Sequence, residues 1–191
     1  YMPVMESIVN LLEKDTGLRA INKPGGQHVL NDEYFKRIEA INYTLEHDDG
    51  EGQKNLELAD VIIVGVSRTS KTPTCIYLAN KGIKAANYPL VPDIGVSKEL
   101  DEVKSPTVVA LITSAQTLVE IRRKRSLELG LKDKETDYIN VHKVEEEIVA
   151  AKRIFANKGW PVIDITRRSV EETASAIMNI ISLKEKKENE Q

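Results

Sequence analysis

Eight consecutive residues carry the clearest chemistry in this sequence. Gly65, Val66, Ser67, Arg68, Thr69, Ser70, Lys71 and Thr72 follow the spacing of a phosphate-binding loop, G-x-x-x-x-G-K-[ST], with Ser70 standing where the second glycine usually falls. Each part of the pattern has a physical task. The glycine lets the chain leave a strand in a tight turn, and the N–H groups that follow converge on an anion. A helix opening just past the loop aims the positive end of its dipole at the same point. Lys71 can then reach terminal phosphates, and the Thr72 hydroxyl can hold Mg²⁺. If Ser70 takes a positive φ, serine costs on the order of 1 kcal/mol relative to glycine, which a tightly bound phosphate offsets. With a negative φ the loop has a modified shape. The pattern by itself leaves one alternative open, a polar strand-to-helix turn with no ligand.

Other side chains are candidates with a bland reading beside each. Asp48 and Asp49, followed by Gly50, can project from a helix end into a cleft as a base or as ligands to a Mg²⁺-bound water; equally, Asp-Asp-Gly terminates helices. Arg122, Arg123 and Arg125 lie on one helix and cannot all face one ligand. With Leu118 and Ile121 expected to face the core, a solvated face is the default for most of these arginines. Arg167 and Arg168 follow the end of a strand, where ligands of open α/β sheets bind. His28, His47 and His142 have no metal-ligand spacing, and only His47, beside Asp48, warrants a test. Cys75 reads as a small buried hydrophobe and Trp160 as a packing residue.

These residues need elements to hold them. Met5, Ile8, Val9, Leu11 and Leu12 recur at helical spacing, and that helix should stop near Thr16 and Gly17. Residues 22–28, with Pro-Gly-Gly, form a loop. A second helix starts after Asn31, an N-cap, with Tyr34, Phe35, Ile38, Ile41 and Leu45 along one face. The period then changes. "DVIIV" (60–64) is a β-branched run suited to a strand buried on both faces. Beyond the loop, Pro73 opens a helix that runs to Lys81 and stops at Gly82. Strands follow at 85–91, 107–112 and 160–166. Thr113 and Gln116 make a capping box for a helix over 114–129, and Ser169 with Glu172 makes another for 170–183. An amphipathic helix closed by Gly159 lies between, and the last residues, "KEKKENEQ", form a solvated, frayed end.

From residue 60 onward strands alternate with helices, which implies right-handed crossovers. The expected architecture is an α/β fold: a mostly parallel sheet with flanking helices, containing the P-loop, behind a helical N-terminal portion. We divide the chain into that portion (1–55), a P-loop α/β phosphotransferase domain (56–184) and a charged tail (185–191). The 191 residues are 41% hydrophobic and 30% charged with a net charge of −3, ordinary for a soluble globular protein. Interspersed acids and bases give no sign of a nucleic-acid or membrane-surface binder. No apolar run approaches the roughly 20 residues of a membrane span. The single cysteine excludes an internal disulfide and fits a reducing cytoplasm.

The stretch "ADVIIVGVSRTSKTPTCIYLANKGIKAANYPLVP" (59–92) closely resembles the regulatory proteins of pyruvate, phosphate dikinase and phosphoenolpyruvate synthase, which are bifunctional serine/threonine kinases and pyrophosphorylases. "YFKRIEAINYTLEHDDG" (34–50) and "WPVIDITRRSVEETA" (160–174) resemble the same family, so the likeness covers nearly the whole chain. The family's loop commonly reads S-R-T-S-K-T, which accounts for Ser70. The resemblance implies an enzyme that uses ADP to phosphorylate a threonine near the dikinase's catalytic histidine, and that reverses this with inorganic phosphate, releasing pyrophosphate. It implies the same loop as the donor and phosphate cradle, Arg68 as a clamp on the transferring group, and a homodimer. Dikinase and synthase remain equal as targets. Family members extend further at the N-terminus, which implies that a leading segment is missing here. A small-metabolite P-loop kinase and a non-catalytic nucleotide-binding module stay as alternatives.

Overall fold

A computed structural model describes residues 4–20, 31–49, 55–91, 93–128 and 137–189. The loop expected over 22–28, His28 within it, and Gly50 lie outside the described residues. The chain divides into two compact units, Tyr1–Asp32 and Glu33–Gln191. The first holds α1 (Val4–Thr16), which ends as its pattern requires, with Gly17 in the left-handed region at φ 70° and its N–H on the Glu13 carbonyl at 2.9 Å.

The second unit carries the site. Among its described residues the strands are β1 (Val61–Gly65), β2 (Ala85–Pro89), β3 (Thr107–Ile112) and β4 (Val162–Asp164), all parallel, in the spatial order β2-β1-β3-β4. The expected α/β class is borne out. β4 is only three residues long, against the seven its apolar run suggested. β1, central and buried along its whole length, feeds both faces of the sheet. Val61 and Ile63 pack with Cys75, Leu78, Ala174 and Ile177 from α3 (Lys71–Ala79) and α7 (Val170–Asn189). Ile62 and Val64 pack with Leu118, Val144, Ile148 and Phe155 from α5 (Ala115–Glu128) and α6 (Val141–Lys158). Chain order leaves β1 toward β2 on one side and returns past it to β3 on the other. Loops leaving the strands' C-terminal ends at such a reversal border a crevice.

Several local expectations change. α7 continues to Asn189 instead of stopping at 183, and the Lys184 ammonium donates to the Ser105 carbonyl at 2.6 Å. Ser114, not Thr113, caps α5: its Oγ accepts from Thr117 N at 3.2 Å. A short helix that no pattern announced, α4 (Lys98–Asp101), sits between β2 and β3, capped by Ser97. Among the described residues no helix is long and apolar enough to cross a membrane.

The largest correction concerns α2 (Asp32–Glu46). The expected apolar face is turned outward, with Phe35 and Leu45 56% and 64% exposed; Ala40, Tyr43, Thr44 and His47 are buried instead. The cause is the unpaired edge of β2. An edge strand inside a fold must find partners for its outward N–H and C=O groups. Thr44 Oγ1 donates to the Ala85 carbonyl at 2.8 Å and accepts from its N–H at 3.2 Å, and Asn87 N donates to the His47 carbonyl at 2.9 Å. Polar satisfaction at this edge outweighs the hydrophobic stripe.

Candidate functional site

The loop after β1 is built by three constraints. Gly65 has no room for a side chain: a Cβ would lie 2.7 Å from Thr69 Oγ1 and 2.8 Å from the Leu111 carbonyl oxygen on β3. The Thr69 hydroxyl folds back to donate to the Val66 carbonyl at 2.9 Å, closing the turn. Arg68 and Ser70 then both adopt left-handed backbone, at φ 74° and 53°. Ser70 therefore stands in the glycine's conformation as well as in its place. Its side chain makes no capping hydrogen bond, so the leading N–H groups of α3 stay clear of their own N-cap. α3 itself begins at Lys71, two residues before the expected Pro73.

Lys71 is buried to within 5% and donates from Nζ to the Val66 carbonyl at 3.0 Å. Burial pushes its pKa down to about 8, against the pull of Asp49 and Asp48, while Arg68 adds to the depression. The amine titrates in mildly basic solution. An arriving anion would favour its charged form.

Asp48 reaches the loop because the neighbouring His47 carbonyl is tied to Asn87 on β2. Thr72 Oγ1 donates to Asp48 Oδ1 at 3.0 Å, and Asn87 Nδ2 lies 2.6 Å from Asp48 Oδ1, 3.2 Å from Asp49 Oδ1 and 2.9 Å from Thr72 Oγ1. Asn87 is the residue the sequence reading missed at the centre of the site. Its one available signal was a polar side chain in the otherwise apolar run 85–90. Thr72 Oγ1 gives its proton to Asp48 and takes one from Asn87, which leaves a lone pair for a cation. That donor set, one hydroxyl beside two carboxylates, suits Mg²⁺, which takes few protein ligands and fills its shell with water and phosphate oxygens.

A cavity of about 270 Å³ opens over this group, lined by residues 67–72 together with Asp49, Asn87, Pro89 and Ile121. The structure thus brings Asp49, Ser67, Arg68, Thr69, Ser70, Lys71 and Thr72 to one space, with Gly65, Val66 and Asp48 directly behind. Arg167 and Arg168 are exposed in the turn after β4 and do not line it. His47 is structural: its ring stacks on Tyr43 at 4.0 Å and its Nδ1 lies 2.8 Å from the Tyr43 carbonyl. His142 is on the surface beside Glu145. Cys75 is buried, and burial raises its thiol pKa far above the usual range, so it acts as a small hydrophobe. Trp160 packs near Phe155, 6.3 Å between rings.

α5 buries Leu118 as expected but reverses the assignment of its next two candidates. Ile121 is 40% exposed and faces the cavity, whereas Arg122 is turned inward and 1% exposed. Its guanidinium holds Glu147 at 2.7 and 3.0 Å, and its positive charge is neutralised there. Arg123 and Arg125 keep the solvated positions expected for this helix.

A family model described as kinase/pyrophosphorylase matches residues 1–178. A protein of Caulobacter vibrioides provisionally named a pyruvate, phosphate dikinase regulatory protein is 51% identical over 178 residues, covering 93% of this chain and 56% of the relative. Proteins of the same provisional name from Sphingopyxis alaskensis and Bradyrhizobium diazoefficiens are 49% and 46% identical, covering 93% and 95% of this chain and 65% of each relative. The chain spans between about half and two thirds of the length of these relatives.

Proposed function

The chain belongs to the kinase/pyrophosphorylase family, and from that premise we propose that it is the phosphoryl-transfer portion of a bifunctional regulator of pyruvate, phosphate dikinase. In one direction the β-phosphoryl group of ADP passes to a threonine hydroxyl of the dikinase, leaving AMP and an inactive target. In the other, inorganic phosphate takes the phosphoryl group from that phosphothreonine, giving pyrophosphate and restoring the hydroxyl. The names of the relatives favour the dikinase over phosphoenolpyruvate synthase as the target.

The observation that carries this reading is one shared network, in which Thr72, Asp48 and Asn87 lie within 2.6–3.0 Å of one another at the mouth of a loop whose lysine is buried. Phosphoryl transfer asks a protein chiefly for positioning and charge neutralisation. The N–H groups of 66–72 would cradle the ADP diphosphate in one direction and phosphate or pyrophosphate in the other. Lys71 would neutralise the oxygens of the transferring group, and Arg68, exposed at the cavity rim, would clamp it. Mg²⁺, when bound through Thr72 and Asp48, would supply the remaining neutralisation. Asp48 is already engaged by Thr72 and Asn87; Asp49, exposed and facing the cavity, is therefore the carboxylate assigned to orient the acceptor hydroxyl. Cytoplasmic residence accords with the lone buried thiol.

The test incubates the chain with pyruvate, phosphate dikinase and ADP–Mg²⁺ and seeks phosphothreonine on the dikinase by mass spectrometry, with Lys71→Ala beside it. A threonine modified by the wild type alone, and cleared by added phosphate with release of pyrophosphate, is the expected result. Nucleotide turnover without a protein acceptor would replace this reading with a metabolite kinase. Binding of ADP–Mg²⁺ without turnover would replace it with a binding module.

A further inference from the structure

The Arg122 guanidinium does more than neutralise Glu147. Nη1 donates to the Tyr138 carbonyl at 3.2 Å and to Glu147, and Nη2 donates to Glu147 and to the Ser67 carbonyl at 3.1 Å. The Tyr138 ring lies 4.4 Å from the guanidinium carbon. Four of the five N–H groups are thereby directed, in a planar fork that no other side chain reproduces. The fifth, on Nε, is buried without a partner among the described residues. An arrangement that tolerates an unpaired buried donor is held by what the other four accomplish.

Three of those bonds join α5 to α6 and to the turn before it; the fourth crosses to the phosphate loop. A trans peptide is planar, so its C=O and N–H point in opposite directions. The Ser67 carbonyl accepts from buried Arg122, so the Arg68 N–H of the same peptide points away from that guanidinium, and Arg68 lines the cavity. Arg68 itself takes left-handed backbone, φ 74°. We infer that Arg122, braced by Glu147, is the positioning residue that sets the Ser67–Arg68 peptide so that its N–H binds a phosphate oxygen. The inference rests on the phosphate-binding reading above and extends it from the loop to the helix pair behind it. It assigns the guanidinium orientation, not charge, because Glu147 cancels the charge locally.

The experiment titrates inorganic pyrophosphate into isotope-labelled chain and follows backbone amides by NMR, with affinities from calorimetry. In the wild type the Arg68 amide should shift downfield as pyrophosphate binds. Arg122→Lys and Glu147→Gln should lose that shift and bind about tenfold more weakly, while core amides such as Ile63 and Leu111 keep their native positions. Arg123→Ala, which removes an exposed charge from the same helix, should match the wild type. A wild-type Arg68 amide that does not respond to bound pyrophosphate overturns the inference even if both variants fail to fold. Variants that stay folded and retain both shift and affinity overturn it too. Wild-type chain that binds neither pyrophosphate nor ADP–Mg²⁺ removes the parent reading along with it.

Discussion

Two turns at the same end of the sheet lead from a parallel strand into a helix, and they are finished in opposite ways. After β4, Asp164 Oδ1 accepts from Thr166 N and Oγ1 at 2.9 and 2.6 Å, which holds its carboxyl below the usual range. Ser169 Oγ accepts from Glu172 N at 3.1 Å, and Glu172 Oε2 accepts from Ser169 N at 2.8 Å, a reciprocal capping box that supplies its own anion to the start of α7. After β1 no carboxylate caps the helix, the N-cap residue sits in left-handed backbone, and a lysine is buried beneath the turn. One turn has satisfied its donors internally; the other keeps them for something that arrives. A helix N-terminus attracts anions wherever it occurs, so the difference lies in what the sequence withholds.

Lys71→Met should sharpen that contrast most. Loss of a preorganised cation facing the transferring group costs roughly 10²–10³ in rate, read in the phosphothreonine assay. The same change should raise thermal stability near neutral pH, because a buried amine held at about 8 against its ordinary 10.5 is unfavourable to the native state by about 3 kcal/mol. Between those pH values the unfolded chain binds more protons than the folded one, so wild-type stability gains on Lys71→Met as pH rises from 8 to 10.5. Pyrophosphate affinity should move the other way over that window, falling up to about tenfold per pH unit as Lys71 loses its proton. An affinity flat across pH 8–10 would sink the assignment of Lys71 to the anion.

Gly65→Ala should break the uncapped turn by sterics alone. The clash with the Leu111 carbonyl cannot be relieved by a rotamer change, and about 3 kcal/mol of stability should be lost in denaturant unfolding. The paired change Ser169→Ala with Glu172→Gln should cost only about 1 kcal/mol, seen as a melting temperature lower by a few degrees, with phosphoryl transfer untouched. A rate loss there would mean that the two turns are not independent. The smallest effect belongs to Ser70→Gly, which relieves a left-handed serine and should stabilise the fold by less than about 1 kcal/mol without loss of binding.

The elements that were legible in the sequence are those whose cause is local. The β-branched run of β1, the capping box at Ser169, the Gly159 stop of α6 and the loop spacing itself are each decided by neighbours within a few residues. The misread ones are where tertiary partners outbid a local pattern. α2 shows an apolar stripe, yet buries Thr44 and His47 because the edge of β2 needs hydrogen-bond partners 40 or so residues away in sequence. α5 offers Ile121 and Arg122 side by side, and helical periodicity alone sent the isoleucine inward; the Ser67 carbonyl and Glu147 reversed the choice.

The sequence by itself determined that a glycine-led turn with a lysine and a threonine would stand between a buried strand and a helix, because those outcomes follow from backbone sterics and short-range capping. Only the tertiary structure decided that Asp48, Asn87 and Arg122 would converge on that turn. Their positions depend on which donors and acceptors of the sheet edge and loop remained to be satisfied once the sheet had formed, a condition that exists only when all the strands are in place.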